Sequence, residues 1–113
     1  MARRFVPEAG DIVWLEFSPQ AGHEQAGHRP AVVLSPATYN GKTGMMICCP
    51  LTTQIKGYPF EVIVDSNRAS AILSDQVKSV DWRARRATRK GRVSVKTLSE
   101  VRSMIWALIG DQV

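Results

Sequence analysis

The chain has 113 residues, 44% of them hydrophobic, and a net charge of +5 at pH 7. That length closes one modest core and excludes a second independent one. The basic balance favours a polyanionic partner such as nucleic acid, and with no apolar segment of transmembrane length, no membrane partner is expected.

The opening "MARRFVPEAGD" is charged and lacks the apolar stretch of a signal peptide, which fits a soluble, cytoplasmic protein. "DIVWLEF" (11–17) mixes β-branched and aromatic residues and predicts a strand. Next comes "GHEQAGHRPAVVLSP" (22–36). Its second half predicts a strand over 30–36, bracketed by prolines that interrupt a ladder. Its first half crowds two histidines, a glutamate, a glutamine and an arginine between glycines. Residues 18–27 are expected to be mobile, because glycines and no apolar anchor hold them.

"TYNGKTG" (38–44) carries Asn40-Gly41, a turn signal. "MMICCPLTT" (45–53) predicts a third strand, with Pro50 at a bulge or edge. Its adjacent Cys48 and Cys49 read as small buried hydrophobes. Adjacent cysteines rarely pair with each other, no zinc-site spacing is present, and reduced thiols suit the cytoplasm. "KGYP" turns into "FEVIVD" (60–65), a fourth strand. After the polar turn "SNRAS", "AILSDQVKSVDW" (71–82) predicts two short strands broken near Ser74-Asp75.

The basic run "RARRATRKGR" (83–92) reads as a solvated face or loop, with Trp82 and Arg83 available to stack on bases. From Ser94 the period changes. Leu98, Val101, Ile105 and Leu108 form a helical stripe, Ser94 is a candidate N-cap, Thr97 with Glu100 offers a second capping box, and Gly110 ends the helix. Many short strands followed by one helix predict a single domain over residues 1–113, mainly β with a C-terminal helix: a bent antiparallel sheet or small barrel.

Three polar constellations could carry chemistry. They are residues 22–29, the strand exit Thr52-Thr53-Gln54 with Lys56, and the basic run together with Lys78. On composition alone the first and third read first as solvated loop or surface, and the second as threonines that simply suit a strand. Together they suit RNA, which carries its own nucleophile in the 2′-OH. An enzyme that aligns that hydroxyl for in-line attack needs no metal and no cofactor. A guanidinium then stabilises the charge on pentacovalent phosphorus, and a hydroxyl completes the phosphate pocket.

The stretches "GDIVWLEF", "EQAGHRPAVVLSP", "YNGKTGM", "TTQIKGYPFEV", "DQVKSVDWRAR" and "ATRKG" resemble the MazF/PemK family of toxins from bacterial toxin–antitoxin systems, over about residues 4–110. The resemblance implies an SH3-like small barrel of the MazF/PemK/CcdB type and a homodimer. It implies a metal-independent endoribonuclease that cuts single-stranded RNA, including mRNA, to 2′,3′-cyclic phosphate and 5′-OH ends, at ACA in near relatives. It also implies partnership with an antitoxin of the MazE type and, as a complex, with operator DNA. By the same resemblance the catalytic residues are Arg29 from "HRPA", Thr52 from "TTQ", and Glu24. Phe17, Gln25, His28, Asn40, Lys56 and Lys78 match positions in or near the RNA groove. Glu16 and His23 depart from residues common in relatives, and 65–71 is less family-like, so base preference is open. The same fold serves gyrase poisons of the CcdB type, which act by protein–protein contact. Such a poison needs neither Arg29 nor Thr52. A domain that only binds operator DNA would keep the basic run and tolerate loss of Arg29.

Overall fold

Period-2 alternation is what folds the centre of this chain. In Ile12-Val13, Ala31-Val32-Val33 and Cys48-Cys49, successive side chains enter opposite faces of the sheet. Ile12, Val32 and Cys49 join a cluster with Val62, Val64, Ile72 and Val101. Val13, Ala31, Val33 and Cys48 join a second with Leu15, Met46, Val80 and Trp82. Both faces are covered, so these segments read as continuous apolar runs rather than polar–apolar alternation.

The computed structural model describes residues 5–17, 27–64 and 67–111. Among them the order is β1 (Asp11–Phe17), β2 (Gly27–Val33), α1 (Ala37–Thr43), β3 (Met45–Thr52), β4 (Glu61–Val64), β5 (Asn67–Leu73), β6 (Lys78–Asp81), β7 (Thr88–Arg92) and α2 (Val95–Ile109). The strands pair antiparallel in the order β4-β5-β3-β2-β1-β7, with β6 on β3. β3 is the pivot. Its first residues pair with β6, its middle with β2, and Leu51-Thr52 with β5. One strand shared among three partners bends the sheet into the expected half-closed barrel.

The C-terminal helix is capped as predicted. Ser94 accepts from the Thr97 N–H at 3.1 Å, and Val101 is buried with Leu98, Met104 and Ile105 packed beside it. The second capping box does not form, because Thr97 lies buried inside the helix. The stripe also stops early: Leu108 is exposed, as are Trp106 and Ile109. Gly110 ends the helix in extended rather than left-handed backbone.

Four expectations are corrected. The second strand runs 27–33, not 30–36, and Pro30 sits inside it opposite Trp14. Pairing with β3 begins only at Ala31, so the missing Pro30 N–H falls where β2 is an edge. The Asn40-Gly41 segment is helix, not turn. The left-handed residue is Gly44, at φ 76°, whose N–H returns to the Asn40 carbonyl. Pro36 offers α1 no side-chain cap. Glu8, 29 residues upstream, does so instead by accepting from the Ala37 N–H at 3.0 Å. That bond first, and one accepted from the Ala9 N–H at 2.9 Å second, hold the Glu8 carboxyl below its ordinary pKa. The basic run is not all loop: residues 88–92 form β7 on β1, using backbone bonds while most of the side chains stay in solvent. Finally, Trp82 is buried and its Nε1–H donates to the Asn40 carbonyl at 2.9 Å, so its ring is core and does not stack on bases. The expected mobility of 18–27 concerns residues outside the described ones, apart from Gly27.

Both cysteines are free and fully buried, as expected. Burial pushes the Cys48 thiol up to about 11 and the Cys49 thiol up to about 12. Thiolate is the reactive form, so both should resist iodoacetamide at neutral pH in the folded protein and react in urea. Rapid labelling without denaturant would contradict this packing.

Candidate functional site

The β2–β3 ladder places the two residues singled out for catalysis. Its register pairs Ala31 with Pro50, Val32 with Cys49 and Val33 with Cys48. Continued by two steps, it sets Arg29 opposite Thr52. Opposed residues of an antiparallel pair point to the same side of the sheet. The ladder does not continue, because β3 turns at Leu51 to pair with β5 (Leu51 with Ile72, Thr52 with Ala71). Arg29 and Thr52 therefore stand on the two arms of a fork. Below it, β2 is locked between β1 and β3 by fully buried Val32 and Val33, a fixed base for an exposed arginine.

Lys78 joins this side. It pairs with Cys48 on β3, two residues before the buried Val80 on the same strand face. Its charge acts on the Cys48 thiol, lowering it against the larger effect of burial, and so does that of Arg85. Arg85 comes from the turn after β6, where its carbonyl accepts the Glu16 N–H at 2.8 Å. Arg29, Lys78 and Arg85 thus put positive charge at one open end of the second core cluster. Nothing in the sequence separates Arg85 from the other arginines of the basic run.

Thr52 is half-buried at the wall of a cleft of about 210 Å³, with Gln54, Lys56, Tyr58, Glu61 and Gln76 around it. Its Oγ1 accepts the Gln54 N–H at 3.0 Å. One lone pair is thereby used and the hydroxyl proton remains to donate. Lys56 lies with Nζ 5.9 Å from the Tyr58 ring centre, and Tyr58 is 61% exposed. Tyr58 is a cleft residue that sequence reasoning missed. In the sequence its place in "KGYP", two residues after Lys56, signals only a turn.

The other expected residues divide. Glu24 and Gln25 lie outside the described residues. Phe17 is placed by its backbone at the end of β1, opposite Gly27. His28 is on the opposite face of β2 from Arg29. It stands 6.1 Å from the Trp14 ring and 3.8 Å from the Glu16 carboxylate. Asn40 is corrected outright: it is fully buried. Its Oδ1 accepts from Ser35 Oγ at 2.6 Å, and its Nδ2 donates to the Pro7 and Ser35 carbonyls at 2.8 and 3.0 Å. It ties α1 to the N-terminal segment and offers nothing to a groove. Among the described residues, no group of three or more His, Cys, Asp or Glu side chains is gathered as a metal site would require.

Residues 8–109 match the family model of PemK-like, MazF-like toxins of type II toxin–antitoxin systems. The endoribonuclease toxin MazF of Escherichia coli K12 is 55% identical over 111 residues, 97% of this chain and 100% of that protein. The endoribonuclease PemK of Escherichia coli is 31% identical over 112 residues, 89% of this chain and 84% of its own length. In a MazE–MazF crystal structure from Deinococcus radiodurans, a chain 50% identical superposes with a TM-score of 0.89, covering 96% of this chain and all of that one. The chain therefore belongs to the PemK-like, MazF-like toxins of type II toxin–antitoxin systems, the family of these endoribonucleases.

Proposed function

We propose that this toxin cleaves single-stranded RNA, mRNA included, without a metal ion or other cofactor, and so arrests translation and growth. The observation that carries the reading is the fork where β2 and β3 part: Arg29 lies two residues beyond the last β2–β3 pair on one arm and Thr52 on the other, with Lys78 on the same side of the sheet. In the reaction the 2′-oxygen forms a bond to phosphorus and the bond to the 5′-oxygen breaks. The 2′-OH proton leaves and the departing 5′-oxygen gains one. Arg29 presents two parallel N–H donors to the equatorial oxygens as charge builds there. The Thr52 hydroxyl donates to the same phosphate. Glu24, catalytic by the family resemblance, serves either the proton transfer or the hold on its loop. Lys56 and Lys78 hold flanking phosphates. Gln25 and His28 take part in RNA binding on the loop side of β2, and Phe17 at the end of β1.

An antitoxin of the MazE type neutralises the toxin, in keeping with the MazE–MazF complex of the Deinococcus relative. The complex binds operator DNA and represses its own operon, and the basic surface supports that role. The toxin works as a homodimer in the cytoplasm. Trp106 and Ile109 leave a large apolar area uncovered at the end of α2, as a subunit contact requires.

The test is a single-stranded RNA with one ACA triplet, incubated with the purified protein in excess EDTA. The expected products end in 2′,3′-cyclic phosphate and 5′-OH. Thr52→Val should slow the reaction roughly 10²-fold, the loss typical of one donor to a charged transition state. Products ending in 5′-phosphate, or intact RNA alongside gyrase-dependent DNA breaks, would overturn the reading.

A further inference from the structure

The loop between β3 and β4 forms one wall of the Thr52 cleft, yet residues 53–60 belong to no strand or helix. Its shape at the cleft comes from a carboxylate. Glu61, the first residue of β4, accepts at Oε1 from the Lys56 N–H at 3.1 Å and the Gly57 N–H at 2.8 Å. Its Oε2 accepts from the Lys56 N–H at 3.2 Å. Gly57 has φ +78°, a conformation that a side chain would strain, and its turn sends two consecutive N–H groups to one acceptor. Glu61 itself is fixed by the ladder, opposite Leu73. The carboxylate thus connects a rigid strand to the residues that carry Lys56 and Tyr58.

A glutamate in a cleft for polyanionic RNA needs a reason, because it repels phosphate. Two backbone donors taking up its oxygens supply one. We infer that Glu61 is a positioning residue for cleavage, acting through the 53–60 loop to hold Lys56 and Tyr58 beside Thr52. The inference rests on the proposed RNA-cleaving function and adds to it a residue that never touches the reacting atoms.

Two variants and two readouts test it. Glu61→Ala removes every acceptor, whereas Glu61→Gln keeps a carbonyl oxygen where Oε1 already serves both N–H groups. In the free protein, Glu61→Ala should speed amide exchange at Lys56 and Gly57 at least about tenfold, and Glu61→Gln should stay near the parent. With RNA, Glu61→Ala should raise KM roughly tenfold and change kcat by less than about threefold, with KM recovered in Glu61→Gln. Unchanged KM in a Glu61→Ala protein with deprotected amides would overturn the inference, as would unchanged exchange. A parent protein inert toward RNA would instead sink the proposed function, with the amide exchange still reporting whether Glu61 clamps the loop.

Discussion

Arg29→Ala is expected to lower RNA cleavage by roughly 10³-fold, the scale seen when a guanidinium facing a transferring phosphoryl group is lost. The folded state should barely notice. Arg29 is exposed on the outer half of β2, and the strand's buried anchors are Ala31, Val32 and Val33. A surface substitution away from the core shifts stability by about 0.5 kcal/mol. Arg29→Lys keeps the charge but loses the planar fork, so it should recover only part of the rate. Melting curves and single-turnover rates on the same preparations separate the two effects. A fall in melting temperature of roughly 10 °C for Arg29→Ala would make the arginine structural. A fold left intact with undiminished cleavage would remove it from the mechanism.

Asn40→Ala should do the reverse, unfolding the protein more readily without a direct effect on RNA. The substitution deletes the acceptor for the Ser35 hydroxyl proton and strands the Pro7 and Ser35 carbonyls in the interior. It also leaves a void at a position with no solvent exposure. Unsatisfied buried groups and a cavity together cost about 3–5 kcal/mol. For a domain of this size that lowers the melting temperature by roughly 10–20 °C. A variant melting within about 2 °C of the parent but binding RNA poorly would restore Asn40 to the groove, where the family resemblance first put it.

These two residues mark where the sequence is legible. β1, β3 and the capped start of α2 are written in short apolar runs, a helical stripe and Ser94, and these reappear in the structure, the stripe as far as Ile105. α1 is not, because its deciding interactions are remote. Asn40-Gly41 is a turn signal over four residues, overridden by a buried amide network and by a cap from Glu8. β7 carries no apolar alternation, since an edge strand held by backbone bonds to β1 can be made of arginines and threonine. Pro30 argues against a strand interior until the point where β2 loses its second neighbour is known.

The candidate site has the same division. Arg29, Thr52 and Lys78 stand out through motif resemblance, not through spacing: 22 residues separate Arg29 from "TTQ" and nothing local connects them. The β2–β3 register carries Arg29 and Thr52 to the point where the two strands part, and the β3–β6 register sets Lys78 on the same side. Which face each side chain takes is also a matter of register. That is why neighbouring His28 and Arg29, equally prominent in the sequence, part to opposite sides of β2.

The central claim is that the protein orients the RNA's own hydroxyl and stabilises the phosphorane without supplying a nucleophile. A single 2′-deoxyribose on the 5′ side of the scissile phosphate, in an otherwise unmodified strand, addresses it directly. That strand should bind and remain intact under conditions that cut the all-ribose strand to completion. Cleavage of the substituted strand at the same phosphate would mean that water or a protein group attacks, and would contradict the account.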